Sequence, residues 1–421
     1  LLRAHHGESP LSRGQPGRAG TGLRQVFSHP GYRRLWAART ASAWGDAFAT
    51  VALGLLVWDR TGSGLGVAGV IVAEIVPVLL LAPFAGVAVD WFSPVRVMVV
   101  ADLARVLVAA GLPLVAGSVP GIYAVAFAMS AASALFNPAA SAALPALVNE
   151  EELIAGNSGI WTAAVLSQIV LAPAAGAVVA TVGYGLAFWV NAASFAVSAL
   201  LLSRLHLLRP AADAARAAWW HQARDGIRVL AGHRVLRALA AGQALAALSA
   251  GATSALLVVL IRERLGRGPA GYGIALACIG VGAAAGPLLL TRLITDPRKP
   301  AFIFGPYLLR AAVDAVLASV RVPVVALGSL AGYGGGTSAG AVTFNSLLQA
   351  ETPPAARGRV FAAFDLIWQL GRLASLGLGG WLADAAGITA VYAAGAALLV
   401  AAALIGRAGL TDHRHHQEKR R

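Results

Sequence analysis

The stretch PFAGVAVDWFSPVRVMVVAD, residues 83–102, decides how the chain is read. Apolar residues run up to Asp90, give way to Trp91, a Ser93-Pro94 break and Arg96, and resume at once. An apolar run interrupted for about six residues by an acid and a base is a tight turn between two membrane-crossing helices.

Composition carries that reading outward. Of 421 residues, 58% are hydrophobic and 12% are charged. A soluble domain carries about 25% charged residues. So much apolar surface needs a bilayer, and only helices or closed barrels span one. The apolar runs are about 20 residues long and lack period-2 alternation, which selects helices. Twelve spans are expected, at 35–58, 66–89, 97–116, 121–144, 153–182, 185–202, 235–261, 271–293, 301–319, 322–344, 360–385 and 388–405. The segment 203–234 is the longest break, basic and with Trp219 and Trp220, and reads as an amphipathic helix on the inner membrane surface. The expected fold is an all-α membrane protein of twelve transmembrane helices in two pseudo-symmetric six-helix bundles, 35–202 and 235–405. A cytoplasmic tail covers 1–34, a cytoplasmic linker 203–234 and a basic cytoplasmic tail 406–421.

Basic residues set the orientation. One side of the spans holds both tails and the central segment; the other holds only Arg60, Arg262, Arg264, Arg267 and Arg321. The inside-positive bias then puts both termini in the cytoplasm of a plasma-membrane protein. The first 30 residues are rich in Gly, Arg and Pro without an apolar core, so no cleavable signal peptide is expected.

Several chemistries are excluded. The only lysines are Lys299 and Lys419, so the chain has no phosphate-cradling Gly-Lys-Ser/Thr loop. No cytoplasmic loop has room for a catalytic domain, and the chain is not read as an enzyme. Cys278 is the only cysteine, which removes disulfides and Cys-based metal sites. The nine histidines lie in the tails or the central segment. No cofactor or metal is expected, and the terminal HRHHQEKRR reads as a solvated tail. The net charge of +14 comes without a basic face interleaved with aromatics, so nucleic acid is not a partner. The expected partners are the lipid bilayer, a small-molecule substrate and protons, with the chain a monomer.

The halves echo each other. Phe136-Asn137 ends the fourth span and Phe344-Asn345 the tenth; Trp161 and Trp368 follow in the next spans. Gly176 and Gly183 match Gly380 and Gly387. Duplication of this kind is typical of transporters with a site between the repeats.

With these residues in view, the chain resembles the major facilitator superfamily. GVAVDWFSPVR is similar to its signature between the second and third helices, with Gly86, Asp90 and Arg96 in matching places; Trp91 stands where a basic residue is usual. FNPAASAALPALVNEEELIAGNSGIW, GYGLAFWVNAASFAVSALLL and RGRVFAAFDLIWQLGR resemble the enterobactin-exporter-like branch of efflux permeases. The resemblance implies alternating access and export driven by the proton gradient, of a drug-like or siderophore-like molecule. Uptake of a small metabolite on the same scaffold is the alternative. It also implies a gating role for Asp90, whose carboxylate would cap the start of the eleventh helix near Arg359 and Val360. In the fifth span, the antiporter pattern Gly-Pro-x-x-Gly-Gly is kept only as Pro173 and Gly176.

Charges inside the spans need a reason, since one at mid-bilayer costs about 2.5–3.5 kcal/mol. Asp46 lies about 11 residues from either end of its span, roughly 17 Å from each surface. Asp46 and Glu74 are the leading proton-coupling candidates, because no histidine lies in a span; a structural acid satisfied by a neighbouring helix is the other reading of each. Arg310 and Asp314, one turn apart, read as a structural pair. Arg105 follows Asp102 by three and reads as snorkelling or paired. Asp365, Trp368, Gln369 and Arg372 form a polar stripe facing the bundle. Trp44, Trp161, Gln168, Asn191, Trp368 and Gln369 are candidates for the substrate cavity, since aromatic walls with few fixed charges suit bulky amphipathic cargo.

Overall fold

The computed structural model describes residues 19–205, 207, 219–293, 300–352 and 356–418. Helices account for nearly all of these residues, and there is no strand among them. Twelve helices have 20 residues or more. The first six are α1 (Pro30–Thr61), α2 (Gly64–Trp91), α3 (Pro94–Val115), α4 (Val119–Ala143), α5 (Leu153–Thr181) and α6 (Tyr184–Ser203). The last six are α7 (Arg234–Ala255), α8 (Pro269–Leu293), α9 (Pro300–Ser319), α10 (Pro323–Glu351), α11 (Arg357–Ala386) and α12 (Ile388–Glu418). Among the described residues, nine helices are long and apolar enough to cross a membrane. The remaining three are α9, which carries Arg310 and Asp314, α10, which is rich in glycine, and α11, which carries Asp365 and Arg372.

Local chemistry sets the helix starts. Proline opens α1, α3, α8, α9 and α10, where its missing N–H costs nothing. Ser93 and Ser118 cap α3 and α4, each accepting from a backbone N–H three residues on at 3.3 Å. Several boundaries differ from the sequence expectation. Helix α1 starts five residues early, at Pro30, and α12 runs through the basic tail to Glu418, because an established helix propagates into flanking residues that permit it. The seventh span breaks at Leu256 into a short turn, Leu257–Val259, and a π turn, Leu260–Arg264. In the central segment, a helix at Trp219–Gly232 buries Leu230 in a cluster with Val235, Val360 and Phe364. It therefore packs on the start of α11.

The cores show how the helices are assembled. One large cluster joins Val51, Val67, Ile122 and Phe188 of the first six helices to Leu256, Tyr272, Val313 and Tyr392 of the last six. It lies toward the end remote from the termini. At the end that holds the termini there are two separate clusters: one around Tyr32, Met98, Phe136 and Leu202, the other around Leu236, Phe304, Leu348 and Phe364. The helix sets are joined at the distal end and apart at the terminal end.

Two helix crossings make the distal junction, α5 on α8 and α2 on α11. Both depend on absent side chains. A methyl group on Gly273 would stand 2.2 Å from the Ala172 carbonyl oxygen, and one on Gly176 2.5 Å from that of Pro269. At the second crossing, a methyl on Gly380 would stand 3.0 Å from the Leu65 Cα. Four described glycines have positive φ, and they form two pairs, each 204 positions apart: Gly62 (56°) with Gly266 (59°), and Gly183 (99°) with Gly387 (82°). Only glycine takes these angles without strain.

Gly273→Val should push α8 off α5 and destabilise the protein by about 1–3 kcal/mol. Thermal unfolding of the detergent-solubilised chain, followed by tryptophan fluorescence, measures this. The same change at Gly305, where a methyl meets nothing within 4 Å, is the control.

Candidate functional site

Two cavities lie one in each helix set. The first, about 240 Å³, is enclosed by α1, α2, α3, α4 and α6. Asp46 and Glu74 both line it, together with Ser130, Ser133, Phe188 and Asn191. No basic residue is in its wall. Asp46 is exposed to the cleft and Glu74 is half-buried. Gly45 makes room for this arrangement: a methyl there would stand 2.6 Å from the Asn191 Oδ1 and 2.0 Å from the Ser194 Oγ. The buried Asn191 Oδ1 has no hydrogen-bond partner among the described residues and belongs to the same wall as the acids.

Basic groups stand behind this wall. Asp102 and Arg105 form a buried ion pair along α3, and Arg105 stacks over Phe136 and Phe195 at 4.3 and 4.4 Å. Arg39 reaches the same Phe136 ring at 6.0 Å. Arg105 and Arg39 both act electrostatically on Asp46. Glu74 feels Arg372 of α11 from across the junction of the two sets.

The second cavity, about 280 Å³, lies among α7, α9, α10 and α11. Arg310, Asp365 and Trp368 line it, with Gln243, Tyr307 and Asn345. The expected Arg310–Asp314 pair does not close: no ion pair within 4.0 Å joins these two described residues. Asp314, fully buried, instead accepts from Ser249 at 3.5 Å, and Arg310 reaches the Tyr333 hydroxyl at 3.4 Å and lies over that ring at 5.0 Å. The polar stripe of α11 divides: Asp365 and Trp368 face this cavity, while Arg372 donates to Gln369 at 3.5 Å.

The other candidates are dispersed. Trp44 and Trp161 are exposed, and neither they nor the half-buried Gln168 line either cavity. Pro173 and Gly176 sit at the α5–α8 crossing, so this motif is a contact between helix sets. In the turn that opened the reading, the backbone of Gly86 and Asp90 belongs to α2, but their side chains lie outside the described residues, and so does the expected cap by Asp90. Arg96 is exposed in the first turn of α3.

The distal end carries polar contacts that the sequence reading missed. Arg262 donates to Asp59 at 2.5 Å, joining the two sets, and Tyr184 donates to the same carboxylate. Asp384, at the end of α11, accepts from the Ser63 hydroxyl at 2.7 Å and from the Gly64 and Leu65 N–H groups at 2.6 and 3.2 Å. It caps the N-terminus of α2 from the other helix set. Arg264 donates to Thr389 and, at 2.5 Å, to the Ala318 carbonyl. One signal was available: Asp59-Arg60-x-Gly62-x-Gly64 recurs as Glu263-Arg264-x-Gly266-x-Gly268.

Solved structures show the same fold. The nucleoside transporter NupG superposes with a TM-score of 0.71 at 14% identity, covering 90% of this chain and 99% of that one. A bacterial homologue of the iron transporter ferroportin, in an inward-facing state, gives 0.72 at 17% identity, covering 90% and 98%. A family model described as transmembrane secretion effector matches residues 24–419. The chain belongs to this family of major facilitator transporters, which are not enzymes. Multidrug efflux pump Tap of Mycobacterium tuberculosis is 33% identical over 195 residues, 44% of this chain and 46% of the relative. The chain thus matches about half the length of that relative. Tap of Mycolicibacterium fortuitum is 29% identical over 379 residues, 86% and 90% of the two chains. An uncharacterized MFS-type transporter of Mycobacterium tuberculosis is 28% identical over 92% of this chain and 93% of its own length.

At the distal turn, partial burial and then the nearby Asp384 carboxylate push the Glu263 carboxyl above its usual range. A carboxylate with a raised folded-state pKa favours the fold when protonated and opposes it once ionised. Glu263→Gln should therefore raise the melting temperature at pH 7. The gain should disappear as the pH falls below about 4, where the wild-type group is protonated in both states. Melting curves across that range test the sign.

Proposed function

We propose that the chain is a proton-coupled exporter of a drug-like or siderophore-like small molecule in the plasma membrane. The twelve long helices act as two six-helix bundles that alternate access, with both termini in the cytoplasm. The observation that carries the coupling is the first cavity, where two acids from different helices meet with no base in the wall. Both are carboxylates, the side chains among its lining residues that can take up and release a proton. That is what a proton carrier requires.

Further observations support the reading. The paired glycine turns and paired crossings fit a duplicated six-helix unit. Closure at the distal end and separation at the terminal end fit a state open to the cytoplasm. Export is favoured over uptake by the relatives named multidrug efflux pumps. Accumulation in inverted against right-side-out vesicles separates the two directions.

Asp46→Asn and Glu74→Gln, tested separately, should each lower proton-driven transport by about a hundredfold or more, the scale of a lost general acid–base group. Membrane expression should stay unchanged. Full transport in both variants removes the coupling assignment.

A further inference from the structure

We infer that the cavity among α7, α9, α10 and α11 binds an aromatic molecule carrying both an anionic and a cationic group. This rests on the export reading for its place in transport, but not for the binding itself.

Two charges, Arg310 and Asp365, share one cavity wall and do not satisfy each other. Arg310 is 5% exposed and its Nε has no hydrogen-bond partner among the described residues. Its guanidinium lies over the ring of Tyr333 and donates to that residue's hydroxyl. Asp314, one turn along α9, gives it a buried counter-charge beyond ion-pair distance, and that aspartate is not in the cavity wall. Asp365 lines the same cavity from α11, exposed to it, and no described residue hydrogen-bonds to it or pairs with it within 4.0 Å. Charges held inside a bundle are costly unless they meet an opposite charge or a hydrogen-bond partner. Arg310 and Asp365 do not meet, so what satisfies them comes from the cavity.

The chemistry of the wall defines the ligand. A guanidinium accepts a planar anion such as a carboxylate with two parallel hydrogen bonds. Asp365 takes an ammonium, and Trp368, one turn along the same face of α11, offers a ring to the same cation. Phe344, Phe361 and Phe364 supply apolar walls between the charges, which suit an aromatic body. A volume of about 280 Å³ holds one compact polycyclic molecule. The acidic cavity in the other helix set has no base to hold an anion, so the two cavities divide proton and cargo between them.

Norfloxacin, its methyl ester and its N-acetyl derivative probe this. The first carries both charges, the second only the amine, the third only the carboxylate. Binding to the purified full chain in detergent at neutral pH is measured by titration calorimetry, with no proton gradient. Norfloxacin should bind at least tenfold more tightly than either derivative. Arg310→Gln should abolish its advantage over the ester and keep that over the N-acetyl compound; Asp365→Asn should do the reverse. Equal binding of all three compounds, no binding of norfloxacin, or variants that keep both preferences overturns the inference. If Arg310→Gln does not fold, Asp365→Asn, at an exposed position, decides alone. Absence of proton-driven transport alongside these preferences would sink the export reading and leave the binding site standing.

Discussion

Helix α8 can lie against α5 only because position 273 has no side chain, and α11 against α2 only because position 380 has none. In a bilayer, lipid is as apolar as leucine, so burying oil gives helices no reason to associate; close backbone packing and interhelical polar contacts do. The two crossings are therefore where the helix sets are held. The shared core around Leu56, Leu256 and Tyr392 and the ion pair of Asp59 with Arg262 gather at the same end. The absence of a shared core at the terminal end is the other side of the same arrangement.

Charge is distributed by helix set as well. Acids line the first cavity, while Arg39 and Arg105 lie over the Phe136 ring, and among the described residues no ion pair within 4.0 Å joins either guanidinium to Asp46. In the second set, Arg310 stands in the cavity wall itself, over the ring of Tyr333. Past the crossings, Ile75 and Leu79 of α2 pack with Leu373 and Leu376 of α11, and Glu74 and Arg372 act on each other electrostatically beside them. A change in the charge of Glu74 is thus felt by the helix that also supplies Asp365 to the second cavity.

The sequence made the helical class legible because apolar length and periodic breaks survive any tertiary detail. Asp46 and Glu74 stood out because charges are rare in such runs, and the structure brings them to one cavity. What stayed illegible were relations across the chain. Arg310 and Asp314 stand beyond ion-pair distance and bond instead to Tyr333 and Ser249 on other helices, which helical spacing does not reveal. Trp44 and Trp161 are cavity candidates by residue type, and type does not say which face a residue occupies; both are exposed and outside the two cavities described. Asp384 was invisible as a cap because its partners lie 319 to 321 positions away. The recurring Asp/Glu-Arg-x-Gly-x-Gly turns were readable, and they mark two of the four described places where positive φ is required, Gly62 and Gly266.

The cap that Asp384 places on α2 sits at an exposed turn rather than in the packed interior. At such a turn water is at hand, so the hydroxyl of Ser63 and the amides of Gly64 and Leu65 would not become orphaned donors if the carboxylate withdrew. Exchanging a carboxylate for solvent there is close to an even trade. The clasp thus joins the two helix sets with little at stake in any one of its bonds, which a bond of the same strength in the packed interior would not permit.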